Sequence, residues 1–374
     1  MLVGKTENTR ETLIQKNFVD IDGKLQDLSD EQYKVFRYGI QNRRQLIEGG
    51  AGTGKTLIGI KYAIEKAKEG NRVLFMCFNK LLAKWVGERI KDQGDEKLPV
   101  KTVNFHDYLI EITGCEPPED KTQLTEFYRN GLPEAFLENS DAYESFDTLV
   151  VDEGQDLLFE NYLLCLDLFV TGGLSHGNWV MMYDENQNIF LRDEFLTGLK
   201  AVKSYEPFLG QLRENYRNTR QIDETNEKLT RIPSKAFSGL EGEETEVYEY
   251  ADCLDGQKQL KSIVRNLNKK GVAMKDIVIL SPHRFENSML EGKRQLLEGI
   301  APIQPMQGKS GEIVPVPDHA VKFSSIYSYK GLESHVVIII GLEKDDEFSR
   351  RLFYTGISRA KTKLYVLKKK GFQT

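Results

Sequence analysis

The stretch GGAGTGKT, Gly49 to Thr56, concentrates glycines ahead of a lysine and a hydroxyl residue, in the order G-x-x-x-x-G-K-[ST]. Glycines let successive backbone N–H groups turn inward around phosphate oxygens, and a helix beginning at this point aims the positive end of its dipole at them. Gly50, Ala51, Gly52, Thr53 and Gly54 supply the amides, Lys55 reaches the β and γ phosphates, and Thr56 holds Mg²⁺. The chemistry implied is binding of a nucleotide with Mg²⁺. A second stretch, LVVDEGQDLL from Leu149 to Leu158, ends an apolar run in two adjacent carboxylates. Asp152 suits the Mg²⁺ shell and Glu153 suits removal of a proton from an attacking water, so hydrolysis is implied as well as binding. The buried-strand character of TLVV argues against a merely solvated acidic pair.

These groups need strands that end together and a helix that starts at the loop. RQLIEGG (44–50) reads as such a strand, and KTLIGIKYAIEKAKEG as a helix with Leu57, Ile60, Ile64 and Ala67 on one face, closed by Gly70. Further strands are expected at 72–78, 101–105, 147–152 and 178–184, and the pattern restarts after Leu199 with strands at 246–250, 276–281, 321–326, 334–340 and 363–368. Strands alternating with helices predict an α/β fold with parallel sheets. At 374 residues the chain accommodates two domains, read as 1–205 with the phosphate loop and DEGQD, and 206–374.

Hydrophobic residues at 40% and charged residues at 29% are the balance of a globular protein. A net charge of -6 excludes a uniformly basic surface, so a polyanion must find a local groove. Apolar runs such as VVIII (336–340) fall short of the ~20 residues a membrane helix needs, and no membrane partner is expected. The N-terminal MLVGKTENTRETLIQKN lacks the apolar core of a secretory signal, and Cys77, Cys115, Cys165 and Cys253 show no metal spacing, which points to a reducing, cytoplasmic setting. The five histidines are scattered, without zinc-ligand spacing.

DEGQD looks like the DExQD signature of superfamily 1 helicases of the UvrD/Rep type, and further stretches resemble that family's motifs in order along almost the whole chain. LSDEQYKVF (28–36) resembles the adenine-reading Q motif and implicates Gln32. CFNKLLAKWV (77–86) and TVNFHDYL (102–109) resemble the motifs that grip single-stranded backbone, which puts Phe78, Asn79 and His106 on the strand's path. YDENQNIF (183–190) resembles the GDxxQxIY element, with Gln187 sensing the γ phosphate and Phe190 toward nucleic acid. In LRENYRNT (212–219) the resemblance has Tyr216 stack on adenine and Arg217 point at the γ phosphate. YSYKGLESHVVII (327–339) resembles the KGLE motif, with Lys330 on nucleic acid and Gly331 and Glu333 near the nucleotide sugar and strand. LFYTGISRAKTKLYVL (352–367) resembles YxAxTRAK, which makes Arg359 an arginine finger.

The resemblance implies two RecA-like P-loop NTPase domains with ATP in the cleft between them, and an ATP hydrolase of helicase or translocase type. It favours 3'-to-5' movement on single-stranded DNA, with RNA still open, in a repair, restriction or phage-defence setting. A nuclease or other protein partner stays open. Lys55, Asp152 and Glu153 lie in the first half while Arg217 and Arg359 lie in or near the second, so only a closed cleft stabilises the transferring phosphoryl group. Phe78, Phe190 and Tyr327 have two readings, core packing or base stacking, and His106 reads equally as an ordinary polar residue.

The chain also departs from the family. Ile110 to Phe146 and Glu286 to Ala320 leave room only for reduced accessory insertions. LRDEFL (191–196) replaces the usual aromatic-basic sequence, Tyr183 stands where glycine is usual, and Gly154 where alanine is common. An ATP-hydrolysing conformational switch or interaction module, without processive unwinding, is therefore the alternative to a motor.

Overall fold

The strands are short and apolar, and most inner ones are buried on both faces, as parallel sheets covered by helices require. The computed structural model describes residues 29–93, 98–120, 122–138, 144–188, 192–233 and 240–372. They form two six-stranded, all-parallel sheets flanked by helices, consistent with two RecA-like domains. The first sheet contains β1 (Arg44–Gly49), β2 (Val73–Cys77), β3 (Val100–Asn104), β4 (Thr148–Asp152), β5 (Asn178–Tyr183) and β6 (Phe208–Leu212) in the order β3-β2-β4-β5-β1-β6. The second contains β7 (Glu246–Tyr250), β8 (Ile277–Ser281), β9 (Ile303–Pro305), β10 (Val321–Ser325), β11 (Ser334–Leu342) and β12 (Ala360–Lys369) in the order β7-β12-β11-β8-β10-β9.

Side chains alternate between the faces of the first sheet. Leu46, Leu74, Met76, Leu149, Val151, Trp179 and Met181 enter one core, while Ile47, Phe75, Val150, Val180 and Met182 enter the other. That second core runs on into Val278, Leu280, Val337 and Ile339 of the second sheet, so one apolar body spans both halves. In register, Glu48 of β1 lies beside Tyr183 of β5 and Gly49 beside Leu212 of β6, while Asp152 of β4 lies beside Cys77 of β2. Parallel strands aligned this way end on one edge, where open α/β sheets place their ligands.

Two strands were not visible in the sequence. β6 is an edge strand whose inward side carries a half-buried Phe208, Gly210 and Leu212, and with a glycine at the middle position and Leu209 exposed on the other side it shows no clear apolar alternation. It extends the first sheet past Tyr205, where the sequence reading ended the first domain. β9 is three residues at the far edge of the second sheet and ends in Pro305, tolerable there because an edge leaves one set of backbone donors unused. The first insertion, from Ile110 on, folds as the last turn of helix Phe105–Thr113, a loop, and a helical stretch Leu124–Glu138 interrupted by a π-helical turn at Phe127–Gly131. Among the described residues no helix is long and apolar enough to cross a membrane.

The halves meet at Gly331, whose φ of +84° is a conformation side chains rarely adopt. A Cβ there would lie 2.5 Å from the side chain of Leu82, on helix Lys80–Gln93 of the first half. Gly331→Ala is expected to cost about 1–3 kcal/mol in denaturant unfolding, with Leu82→Ala in the same chain recovering only the steric part.

Candidate functional site

Helix Lys55–Lys68 begins at Gly54, which has φ +81° and offers no side-chain cap. The amides of its first turn therefore face the loop unpaired by any capping side chain, and its first turn holds no acidic residue. This is the donor set a phosphate chain fits. Gly52, at φ +78°, has no room for a side chain because Asn215 Oδ1 sits where its Cβ would be. Gly54 is likewise closed in by the Gln32 amide. Gln32 Nε2 donates to the Thr53 carbonyl at 2.8 Å, and its Oε1 accepts from Ser29 N–H at 2.9 Å within the capping box of helix Asp30–Gly39. Gln32 thus bolts that helix to the phosphate loop. Tyr216 lies alongside, its N–H donating to Gly52 O at 3.0 Å and its hydroxyl to Glu214.

Lys55 Nζ donates to the carbonyls of Gly49 (2.9 Å) and Gly50 (3.0 Å). Burial lowers its pKa, opposed by the charges of Asp184, Glu153 and Asp152. Thr56 Oγ1 donates to Asp152 Oδ2 at 2.6 Å, so two hard oxygen donors suited to Mg²⁺ converge at the helix start. Burial, with Glu153 next door, raises Asp152 to about 6. Glu153, at φ 56°, moves the other way: burial would raise it, but Lys330, Lys55 and Arg359 outweigh burial and keep it ionised. An ionised carboxylate in a water-poor cleft can act as a general base.

Gln155 and Asp156 fall where the two halves meet. Gln155 Nε2 donates to Glu153, and its Oε1 accepts from Asp184 N–H at 3.0 Å. Asp156 pairs with Lys330 of the second half, whose ammonium also donates to the Gln187 carbonyl at 3.1 Å and lies 3.8 Å from Glu153. Burial raises Asp156 to about 6, opposed by Lys330. Gly154 has a plain steric reason: a Cβ there would come 3.0 Å from the Met182 carbonyl oxygen, too tight for ordinary contact.

Across the cleft, Arg359 is almost fully buried, donating to Thr355 O at 2.9 Å and to Gln187 Oε1 at 3.2 Å. Burial and the neighbouring Arg217 lower its pKa to about 10, so it remains charged at neutral pH. Arg217 Nε donates to Glu333 at 2.7 Å, and Glu333 also meets Lys361 at 3.6 Å. Gly52, Lys55, Thr56, Glu153, Gln187, Arg217, Gly331 and Arg359 all line one space of about 10 Å³. A triphosphate enters only if these walls part.

Beyond Glu153 lies a larger, mostly apolar cavity of about 530 Å³. It gathers Phe78, Asn79, His106 and Lys330, the four described residues expected on the strand's path, together with Tyr327. Phe190 lies outside the described residues. Burial, reinforced by Lys80, lowers His106 to about 4, so its ring is neutral, and Nε2 contacts the Tyr162 hydroxyl at 2.9 Å. Two expectations change in character. The Lys330 ammonium is spent on Asp156 and the Gln187 carbonyl rather than left to a strand. Asn79 caps its own helix through Leu81 N–H (2.8 Å) and bridges to the carbonyls of Tyr327 (3.0 Å) and Ser328 (2.8 Å).

Several residues inside the quoted motifs were passed over. Asp184 accepts from Gln187 Nε2 at 2.7 Å, and Asn218 donates to the carbonyls of Ser358 and Ala360 across the cleft. Asn215 Oδ1 holds the N–H groups of Arg217 (3.1 Å) and Asn218 (3.2 Å). Their signal was present in YDENQNIF and LRENYRNT, but short amides give no hint from sequence alone of which carbonyl they serve. Tyr128, Phe159 and Tyr162, which also line the cavity, carried no motif signal.

A family model described as Schlafen group 3, DNA/RNA helicase domain, matches residues 43–226, which include all six strands of the first sheet. A second, the UvrD-like helicase C-terminal domain, matches residues 320–367 in the second sheet. The chain is a superfamily 1 helicase-type protein. Helicase domains of this type bind nucleoside triphosphates and nucleic acid and imply ATPase activity. No curated protein matches the chain.

In this helicase-type protein Lys330 is a buried cation that the second half places among the first half's acids. Lys330→Met leaves Asp156 and Glu153 without that partner, and removing one member of a buried pair costs about 3–5 kcal/mol. The expected result is a lower denaturation midpoint, largely restored by Asp156→Asn in the same chain.

Proposed function

We propose that the protein is an ATP-driven motor on single-stranded nucleic acid, DNA foremost, in which cleft closure couples hydrolysis to strand movement in the 3'-to-5' direction. The observation that carries this reading is the position of Glu153, which lines both the phosphate-loop space and the aromatic cavity. One carboxylate is then a wall common to fuel and track. The domain boundary falls between Leu212, the end of the first sheet, and Arg220, where a helix packs against helix Glu347–Ile357 of the second half.

In this reading Lys55 exchanges its loop carbonyls for the β and γ phosphates, which the loop amides of residues 50–54 surround. Gln32 and Tyr216 flank the adenine, with Glu333 near the sugar. Thr56 and Asp152 hold Mg²⁺, which when bound neutralises phosphate charge. Glu153 accepts the proton of the attacking water, while Gln187, Arg217 and Arg359 face the γ phosphate as the halves close. Both arginines already have carboxylate or amide partners in the cleft, so they need little reorientation.

The engagement of Asn79 and Lys330 in bonds between the halves favours, as a second reading, a switch that closes without translocating. Steady-state ATP hydrolysis at low salt separates the two, because backbone binding weakens as salt rises. Stimulation by single-stranded DNA is expected, with RNA and duplex as comparison arms, and an unchanged rate with every strand contradicts the motor.

Lys55→Ala is expected to lose turnover altogether. Arg359→Ala is expected to keep nucleotide affinity within a few-fold but slow hydrolysis by about 10²–10³, the scale of losing one transition-state charge contact. Equal losses of binding and rate would make Arg359 structural. Mg²⁺ binding to the nucleotide complex is expected to weaken as pH falls through about 6, since Asp152 must shed its proton to ligate. Mg²⁺ titrations at pH 5.5 and 7.5 that superimpose would remove Asp152 from the metal site.

A further inference from the structure

We propose that the protein holds a monovalent cation, K⁺ or Na⁺, in a second small space beside the phosphate loop, where the ion ties the loop to the second half. This space of about 10 Å³ lies between Gly50 and Ala51 of the loop, Asp223 and Asn226 of helix Arg220–Thr230, and Tyr354 and Ser358 near the opposing arginine. It shares only Ala51 with the space lined by Lys55 and Arg359, so it is not the room of the triphosphate. The inference goes beyond the motor reading and does not depend on it.

Asn226 is 4% exposed. Its Nδ2 donates to the Tyr354 carbonyl at 3.3 Å, which fixes the orientation of the amide, and its Oδ1 has no hydrogen-bond donor. A buried oxygen in that position calls for a bound partner, either a water or an ion.

The neighbouring side chains decide between the two. Asn218 Nδ2 is committed to the carbonyls of Ser358 and Ala360, and Asn215 Nδ2 to Asn218 Oδ1 (2.9 Å) and Asp223 Oδ1 (3.2 Å). The Ser358 hydroxyl donates to the Thr355 carbonyl at 2.8 Å, and the Tyr354 hydroxyl is engaged by the Ala51 backbone and the Asn186 side chain. With these hydrogens spent, the lining offers oxygen. A water would find acceptors in plenty but little to donate to its own oxygen, whereas a cation needs oxygen alone. Asp223 adds a formal negative charge, and among the described residues no lysine, arginine or histidine lines the space.

Charge and size then select the class of ion. Ca²⁺ takes 6–8 oxygens with several carboxylates among them, and Mg²⁺ keeps waters of its own. Here Asp223 is the single carboxylate on the lining and the space has room for about one small sphere. One carboxylate with neutral amide and hydroxyl oxygens suits a singly charged ion held without its hydration shell.

The position gives the ion work to do. Its ligands come from both sides of the cleft, and Ser358 directly precedes Arg359. An ion gripped from both sides favours the arrangement in which loop and arginine are close, so cation and nucleotide strengthen each other's binding.

The test begins with thermal denaturation of the full chain, without nucleotide, in choline, sodium and potassium chloride at one ionic strength. Replacing choline by K⁺ or Na⁺ is expected to raise the midpoint by about 2–4 °C, the scale of a weak ligand at several times its dissociation constant. In thallium(I) nitrate a bound thallium resonance is expected, displaced by K⁺. Superimposed melting curves in the three salts, or no displaceable thallium, overturn the inference and leave an ordered water in the space. Asp223→Asn, which keeps an acceptor for Asn215, is expected to shift the K⁺ response to at least about tenfold higher concentration. Adding Asn226→Asp to that chain returns the carboxylate and is expected to restore the response. A K⁺ response the same in all three chains removes the ion from this space. ATP affinity is expected to be at least about fivefold tighter in K⁺ than in choline, and equal affinities overturn the tie between ion and cleft. Lys55→Ala is expected to keep the melting response, which separates failure of the cation site from failure of the nucleotide site.

Discussion

Buried charge must be balanced, and that constraint organises the whole cleft. Asp152, Glu153 and Asp156 stand at the end of β4, removed from water by the cores on either side. Uncompensated, they would be costly to ionise. Lys55 from the phosphate loop and Lys330 and Arg359 from the second half supply the opposing charge. The orientation of the halves is thus set less by a linker than by where Glu153 and Asp156 find their partners. The continuous apolar core then holds the sheets in the register that this pairing selects.

Much of this was legible in the sequence. The phosphate loop, DEGQD and the strands that carry them follow from patterns whose physics is local: glycine at positive φ, an apolar run, a carboxylate at its end. The second half was legible for the same reason, since β8 and β11 are buried on almost every residue and read as continuous apolar runs, and β12 carries a shorter one, LYVL, between its lysines. What escaped were features that depend on a distant neighbour. β6 is a strand because β1 offers it an edge, and its own residues scarcely say so. Gly154 is glycine because a carbonyl of β5 passes close by, which nothing in DEGQD reveals.

Lys330 shows the same limit at the site. Its place in a motif associated it with nucleic acid, and the structure does put it on the aromatic cavity. The identity of its partner, Asp156, was settled by a contact between residues far apart in the chain. The inserted segment was noticed by its length alone. That it contributes Tyr128 to the cavity follows from a π-helical turn, for which the sequence has no code.

The Asn215–Asn218 corner carries a mechanical consequence. Asn215 touches the phosphate loop at Gly52, and Asn218, fastened to it, grips the carbonyls on both sides of Arg359. Two amide side chains therefore form a short strut between the glycine-rich loop and the backbone that carries the opposing arginine. Any displacement of the loop therefore reaches that arginine through two side chains alone, so the two walls of the cleft are joined by amide contacts as well as by charge.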